Sequence, residues 1–522
     1  MKKIAVLLAL LLAIASLPAN QEDIWSSSLE KVTNIVSLID QNYYKSANQE
    51  QLVYASIRGA LDTLDPHSYF LDPEGFSRMQ EDYTAKYYGL GLQIYKYEDR
   101  LVVISPIEGT PAYRLGIMPG DVISHINGES TKPLSSYDAM QKLRGPKGTK
   151  VTITIVREGL EKPMDLTIIR EEIPLYSIPY AFMLNDTTGY IYIRNFAGTT
   201  TEEFEEKMAG LVKQGMKSLI LDLRGNGGGA FFQSLELSDE FLPSGAMVVS
   251  IRGRNKAYDN EFRAGRDNQY EKLPLVVLID QGSASASEIV SGAVMDNDRG
   301  LVVGEDSWGK GLVQTMFRLE SPSSNLAVAL TTAKYYTPSG RSIQRDFSHL
   351  DDYYMNKATP ESQREVRYTS QGRKVLGQGG ITPDYKVEFL LKPLTAEIRF
   401  KGAFFSYARK FASHQTELAK KYVFPGEAAT PPGAIGKIVV KRVFVVDEGV
   451  LEDFKTYLGT LKITPPADKF QEALPDIRRE LEREIVSSLW SLEEGRRVFC
   501  LRDPVVLKAL EVMPESAKFI EK

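Results

Sequence analysis

Hydrophobic and polar positions change period several times along the chain, and each change marks a different kind of unit. Between about residues 22 and 79 apolar residues recur at helical spacing. Val32, Ile35, Val36 and Ile39 share one face, and Leu52, Ala55, Ile57 and Leu61 share another more loosely. Leu64-Asp-Pro-His-Ser68 then ends the helical pattern, because a proline disfavours a helical residue before it. From about residue 88 to 170 the pattern turns to short strands and tight turns. It predicts strands at 93–97, 101–104, 122–126 and 151–157, a short helix at 110–116 and a helix at 135–143, with Asn127-Gly128 as a hairpin turn.

A third pattern runs from Asp186 to about Asp384. Short apolar runs at 189–194, 218–223, 275–279 and 301–304 read as strands, several of them buried on both faces, separated by helical stretches at 201–214 and about 284–296. Residues 312–318 read as a further strand, and the polar stretch 345–374 as a surface loop or lid. After about residue 391 the chain becomes helical and highly charged, with long faces at 395–422 and 468–494. A Pro/Gly/Ala connector at 424–436, a strand at 438–446 and a helix at 449–461 lie between them. The expected fold class is α+β and multidomain: an N-terminal helical segment, a small β domain, an α/β core and a mostly helical C-terminal extension.

Composition narrows the class. A chain of 522 residues with 43% apolar and 25% charged residues fits a globular protein of two to four domains. A net charge of −5 argues against nucleic acid as the main partner. Met1-Lys2-Lys3 followed by an apolar run over 4–17 is shorter than the roughly 20 residues a membrane span needs. It reads as a signal peptide cleaved near Ala19, with an uncleaved anchor as the alternative. The lone Cys500 excludes an internal disulfide and a lipid-modified N-terminal cysteine, so stability must come from burial. An exported chain without disulfides points to a bacterial periplasm or envelope, with no transmembrane segment after cleavage.

The chemistry concentrates between residues 280 and 314. Ser285 stands at a strand-to-helix turn, where unpaired backbone N–H groups are able to hold an oxyanion. Ser285-Ala-Ser-Glu288 is equally a helix capping box, and the two roles are compatible. Gly309-Lys310-Gly311 supplies a lysine beyond the next strand. A phosphate-binding reading of this loop fails, since Gly311 fills the Ser/Thr position and a strand rather than a helix follows. A serine with a lysine base needs the amine neutral, and burial near Trp308, Leu312 and Val313 is the means. Lys334, in an apparent strand, is the rival base. Of the four histidines, His67 reads as a turn residue, His125 as structural in its apolar strand and His349 as part of the polar segment; none has a triad context. HExxH-type metal ligands are absent, and Cys500 has no candidate partner.

Ser283-Ala-Ser-Ala-Ser-Glu288, followed by Gly309-Lys310-Gly311 and Gln314, resembles the carboxyl-terminal processing peptidases, or tail-specific proteases. The resemblance covers roughly residues 22–388. It implies Ser285 as nucleophile, Lys310 as general base and Gln314 as the residue that orients the lysine. Asp222-Leu-Arg-Gly-Asn-Gly-Gly-Gly229 matches the family's DLRxNxGG motif, which makes Gly228 or Gly229, with Ala286, the oxyanion-hole donors. Gly227 stands where relatives often carry proline, a departure expected to loosen the loop. LDPHS, residues 332–341 and residues 379–384 match further family signatures, and the N-terminal helices have a packing or dimerisation role by the same resemblance.

The small β domain resembles a PDZ domain, with Tyr88, Gly89, Leu90, Gly91 and Leu92 as its carboxylate-binding loop and the following strand as an edge that accepts a peptide. Arg144 is the residue expected to report peptide occupancy to the core. The implied domains are a signal peptide at 1–19, a helical segment at 22–85, the PDZ domain at 86–172, a protease core of the ClpP/crotonase-like type at 173–390 and the extension at 391–522. The implied activity is a serine endopeptidase that recognises accessible protein or peptide C-termini, with no cofactor or metal, a homodimer or adaptor as further partner, and a role in envelope protein processing. The alternative is an inactive PDZ-containing scaffold.

Overall fold

The computed structural model describes residues 19–97, 99–157, 161–265, 270–319, 325–355, 359–424, 438–439 and 444–520. Nearly all of the expected signal peptide at 1–19, most of the connector at 424–436 and part of the expected strand at 438–446 lie outside these residues.

The core is a six-stranded sheet in the order Tyr180–Met183, Thr188–Tyr192, Ser218–Asp222, Leu275–Ile279, Leu301–Gly304, Tyr385–Lys386. Only the first pair is antiparallel; the others run parallel. Alternate side chains of these apolar runs enter two separate cores, as the two-residue strand period requires. Leu219, Leu221, Val277 and Val302 face a layer that includes the helices Thr200–Lys213, Phe231–Asp239 and Ala286–Asp296. Ile220, Val276, Leu278 and Val303 face the opposite layer, formed largely by Pro504–Ala517 near the C-terminal end. The C-terminal extension is therefore partly a wall of the core. Its other helices, among them Ala403–Ala412, Glu448–Thr460 and Ala467–Leu489, enclose a core of their own around Tyr407, Phe411, Phe454 and Ile477. The expected helix at 395–422 is split, because Gly402 takes a left-handed conformation (φ 64°) between Pro393–Phe400 and Ala403–Ala412.

A second, antiparallel sheet lies beside the first. In it Leu326–Tyr336 pairs with Tyr69–Leu71, Met247–Gly253 and Leu312–Leu319. The N-terminal segment is thus stitched to the core through Tyr69–Leu71. The helix Ala19–Asn42 before it is mostly exposed, including Val32, Ile35 and Leu38.

The β domain has five antiparallel strands in a row, from Leu92–Tyr97 at one edge to Met164–Ile169 at the other, with the helix Ser136–Leu143 beside them. One difference from expectation lies at its entry. Tyr88 and Gly89 belong to a strand, Lys86–Gly89, that pairs with Glu171–Pro174 and ties the domain to the rest of the chain. The loop ahead of the edge strand is therefore reduced to Leu90 and Gly91. Gly91 is obligatory there: its φ is 78°, and a Cβ would lie 2.3 Å from Thr110.

Candidate active site

Parallel strands deliver their following loops to one edge of a sheet, and three such loops meet here. They follow Ser218–Asp222, Leu275–Ile279 and Leu301–Gly304. Asn226, fully buried, joins the first two. Its amide donates to the Ile193 carbonyl (2.9 Å), its Oδ1 accepts from Gly228 N–H (2.9 Å), and its carbonyl accepts from Ala284 N–H (3.0 Å) and Ser287 Oγ (2.8 Å). Trp308 N–H donates to the Ser283 carbonyl (2.8 Å) and joins the third loop.

Ser285 sits at the N-cap of Ala286–Asp296 with φ 55° and ψ −112°, a conformation that costs a non-glycine residue on the order of 1–3 kcal/mol. The strain is held in place by Glu288. This wholly buried carboxylate accepts from the N–H groups of Ser285 (2.8 Å), Gly309 (2.7 Å) and Lys310 (2.9 Å), and from Ser307 Oγ (2.5 Å). Tyr335 closes the other side, its hydroxyl donating to the Lys310 carbonyl (2.6 Å), with the Ser285 carbonyl 3.3 Å from the same oxygen. The backbones of the expected nucleophile and base are thus pinned to the same two side chains. Sequence reading found only half of Glu288's role, the capping box, and missed Tyr335 and Asn226. Both lie inside motifs that the sequence shows, DLRxNxGG and residues 332–341, but their contacts come from distant strands and no local pattern signals those.

Burial holds the Lys310 amine below its ordinary pKa, against the opposing pull of the Glu288 and Asp65 carboxylates. That is the direction a lysine base requires. The rival Lys334 is exposed. Cys500 is buried beneath the sheet, where desolvation pushes its thiol up to about 12, away from nucleophilic use.

Gln314 departs from its expected contact. A bulge between Val313 and Gln314 shifts the register of the strand pair, and the Gln314 amide donates to Thr331 Oγ1 (3.2 Å) on the facing strand, not to Lys310. Thr331 Oγ1 in turn donates to Asp65 (3.0 Å), so the LDPHS turn reaches the site. His67 hydrogen-bonds the Tyr353 hydroxyl (2.6 Å), which also accepts from the Trp308 indole (3.1 Å). Tyr353, only 1% exposed, comes from the segment expected to be a surface loop or lid and packs edge-on against Trp308.

The glycine loop separates its two candidates. Gly228 N–H is engaged by Asn226, so in this structure Gly228 is not available as an oxyanion donor, contrary to one expectation. Its missing side chain matters instead. A Cβ at Gly228 would lie 2.8 Å from the Ala284 carbonyl oxygen, 2.9 Å from Ser285 Cβ and 3.0 Å from Ala286 N, crowding the turn that carries the serine. Gly229 follows with φ 143° against Phe196.

Arg144 ends the helix Ser136–Leu143 of the β domain, pairs with Glu81 at 2.5 Å and covers the Tyr87 ring at 4.2 Å. Two residues beyond Glu81, the Tyr83 carbonyl accepts from Gly198 N–H of the core (2.8 Å).

Three family models match the chain: peptidase family S41 over residues 187–351, a PDZ domain over 102–157 and the N-terminal domain of the activating protease CtpB over 13–75. A carboxy-terminal-processing protease of Bartonella bacilliformis is 35% identical over 340 residues, covering 64% of this chain and 77% of that one. The chain belongs to the carboxy-terminal processing protease family. A member from Synechocystis is 36% identical over 320 residues, 59% of this chain and 72% of that one. A solved photosystem II D1 C-terminal processing protease aligns at 26% identity over 67% of this chain and 85% of that one, with a TM-score of 0.36. The protein is accordingly a serine peptidase of this family with a PDZ domain. Among the described residues no helix is long and apolar enough to cross a membrane.

Proposed function

We propose that this processing protease works by a Ser/Lys mechanism in which Ser285 is the nucleophile and Lys310 its general base. The observation that carries the reading is the shared anchoring of both residues by Glu288. Ser285 Oγ attacks the peptide carbonyl while the neutral Lys310 amine takes its proton. Ala286 N–H and Gly229 N–H hold the oxyanion that develops. Lys310 returns the proton to the leaving amine, and water hydrolyses the acyl-enzyme. Gln314 orients the lysine indirectly, as part of the hydrogen-bonded wall with Thr331 and Asp65.

The PDZ domain captures the C-terminus of an unfolded or processed protein on its edge strand, with Leu90, Gly91 and Leu92 at the carboxylate and Tyr88 and Gly89 supporting them. Arg144, set between the PDZ helix and Glu81, couples capture to the core. Export to a bacterial periplasm or envelope follows from the leader, and the exposed stripe of Val32, Ile35 and Leu38 suits a second copy of the chain. Sedimentation of the wild type against Ile35→Asp tests that dimer.

The deciding experiment is cleavage of an unstructured protein ending in apolar residues, followed from mildly acidic to alkaline pH. Wild-type kcat/KM rises with pH through one group, because the base acts deprotonated. The limb lies below the ordinary lysine value of about 10.4. Ser285→Ala and Lys310→Ala abolish turnover, and Arg144→Ala loses stimulation by added C-terminal peptide. Activity that survives Ser285→Ala refutes the mechanism; an inactive wild type that still binds peptide favours a scaffold.

A further inference from the structure

We propose that Asp65, in the turn after the helix Gln49–Asp62, is a positioning residue for Lys310 that acts by fixing Thr331 and Gln314 on the strand pair the Lys310 loop leads into, and through its own charge. The inference rests on the Ser285/Lys310 reading and extends the site to the N-terminal segment.

The turn is built to present a carboxylate. Asp65 Oδ1 accepts from the N–H groups of His67 (2.8 Å) and Ser68 (2.9 Å) and from Thr331 Oγ1 (3.0 Å), while Oδ2 accepts from Ser68 Oγ (2.7 Å). Burial alone would raise its pKa, but these bonds outweigh it and hold the carboxyl below its ordinary value. The turn is also fixed to the strand that carries Thr331. Ser68 Oγ accepts from Thr331 N–H (3.0 Å), Tyr69–Leu71 pairs with residues 327–329, and Tyr54, Leu61 and Phe70 pack against Leu326, Val328 and Leu330. Thr331 donates its one hydroxyl proton to Asp65 and accepts from Gln314 Nε2, so the carboxylate sets the direction of the whole relay.

The charged neighbours of Lys310 are few. Glu288 and Asp65 both favour its protonated form. His67 is the third titratable group; burial and then the lysine's charge lower it to about 4, while Asp65 pulls the other way, so it is neutral in the working range. Behind it stand Tyr353, whose hydroxyl burial pushes up, and Arg345, stacked over the Trp308 and Tyr353 rings. Glu288 is committed to three backbone N–H groups that can only donate. Asp65 is thus the carboxylate whose bonds lead to Gln314. Removing its charge makes protonated Lys310 less favourable and moves the base's pKa down.

The test is a full pH profile of kcat and KM for the full chain and its Asp65→Asn, Thr331→Val and His67→Gln variants on the same unstructured substrate. Asp65→Asn should shift the rising limb to lower pH and lower the plateau kcat. Thr331→Val keeps the charge but cuts the relay. It should lower kcat on the order of tenfold, as misplacement of a catalytic group does, with KM and the limb in place. His67→Gln should leave the limb where it is. A limb unmoved in folded Asp65→Asn, or a wild-type kcat in Thr331→Val, overturns the proposal. If Asp65→Asn does not fold, Thr331→Val decides alone. Failure of the underlying Ser/Lys reading shows separately, as activity that survives Ser285→Ala.

Discussion

Glu288 is the residue on which the proposed site depends most. A buried carboxylate is costly unless its acceptor sites are filled, and here three backbone N–H groups and one hydroxyl fill them. Glu288→Gln keeps the shape but replaces one oxygen by an amide nitrogen, which must face N–H groups that can only donate. Each buried donor left without a partner costs about 1–3 kcal/mol, so the variant should melt several degrees lower and lose turnover by orders of magnitude. Thermal melting beside single-turnover cleavage checks this, and wild-type kinetics in a folded Glu288→Gln protein would remove the staple from the account. The sequence made Ser285 and Lys310 legible because their motifs are contiguous and rich in small residues. Glu288 was legible only as the partner of Ser285, three positions away. Its hold on Gly309 and Lys310 depends on a loop delivered by the next strand, and Asp65 reaches Thr331 only once Tyr69–Leu71 has paired with Leu326–Tyr336, more than 250 positions away.

At the scale of elements, the loop from Arg224 to Gly229 shows which departures from the family pattern matter. Gly228 and Gly229 have φ of 96° and 143° and lie against backbone, so side chains there collide with Ser285 or Phe196. Gly227, the position where the resemblance leads one to expect proline, is different: its φ is not left-handed, and a Cβ there meets nothing within 4 Å. The loop is instead clamped by Asn226 on one side and by Arg224 on the other, where Arg224 bridges Asp222 (2.7 Å) and Asp503 (2.8 Å). The extra freedom of Gly227 therefore belongs mainly to the unfolded chain. Gly227→Ala should stabilise the protein by about 0.4–1 kcal/mol. Denaturant unfolding reads that gain, and kcat should stay within twofold. A loss of stability would mean that the loop needs glycine at 227 after all. The strands and helices around this loop follow the apolar periods closely, whereas the entry strand Lys86–Gly89 was hidden because its partner, Glu171–Pro174, lies on the far side of the PDZ domain.

For the whole molecule the C-terminal extension changes meaning. Its charged helices read as a separate or solvated addition, yet Val505, Val506, Ala509, Val512 and Met513 of Pro504–Ala517 cover the sheet face formed by Ile220, Val276, Leu278 and Val303. Periodicity marks these positions as apolar but not what they meet, because the strands they cover lie hundreds of positions earlier. The helix is also tied by polar groups. Ser516 Oγ donates to the Leu275 carbonyl (2.6 Å), and Asp503 both caps the helix and pairs with Arg224 of the glycine loop. Burying a large aliphatic side chain contributes about 1.5–3 kcal/mol, so the four largest together supply on the order of 10 kcal/mol. That is comparable to the entire stability of a typical domain, about 5–15 kcal/mol. A chain ending at Arg502 should therefore fail to fold into a soluble protease, rather than fold and lose regulation. The contrast is Leu507→Ser, on the exposed side of the same helix, which should leave folding and turnover near wild type. Circular dichroism, solubility and cleavage of the unstructured substrate together distinguish the outcomes. A truncated chain that melts cooperatively near the wild-type temperature would show that the sheet can close without this layer, and would return the extension to the status of an accessory domain.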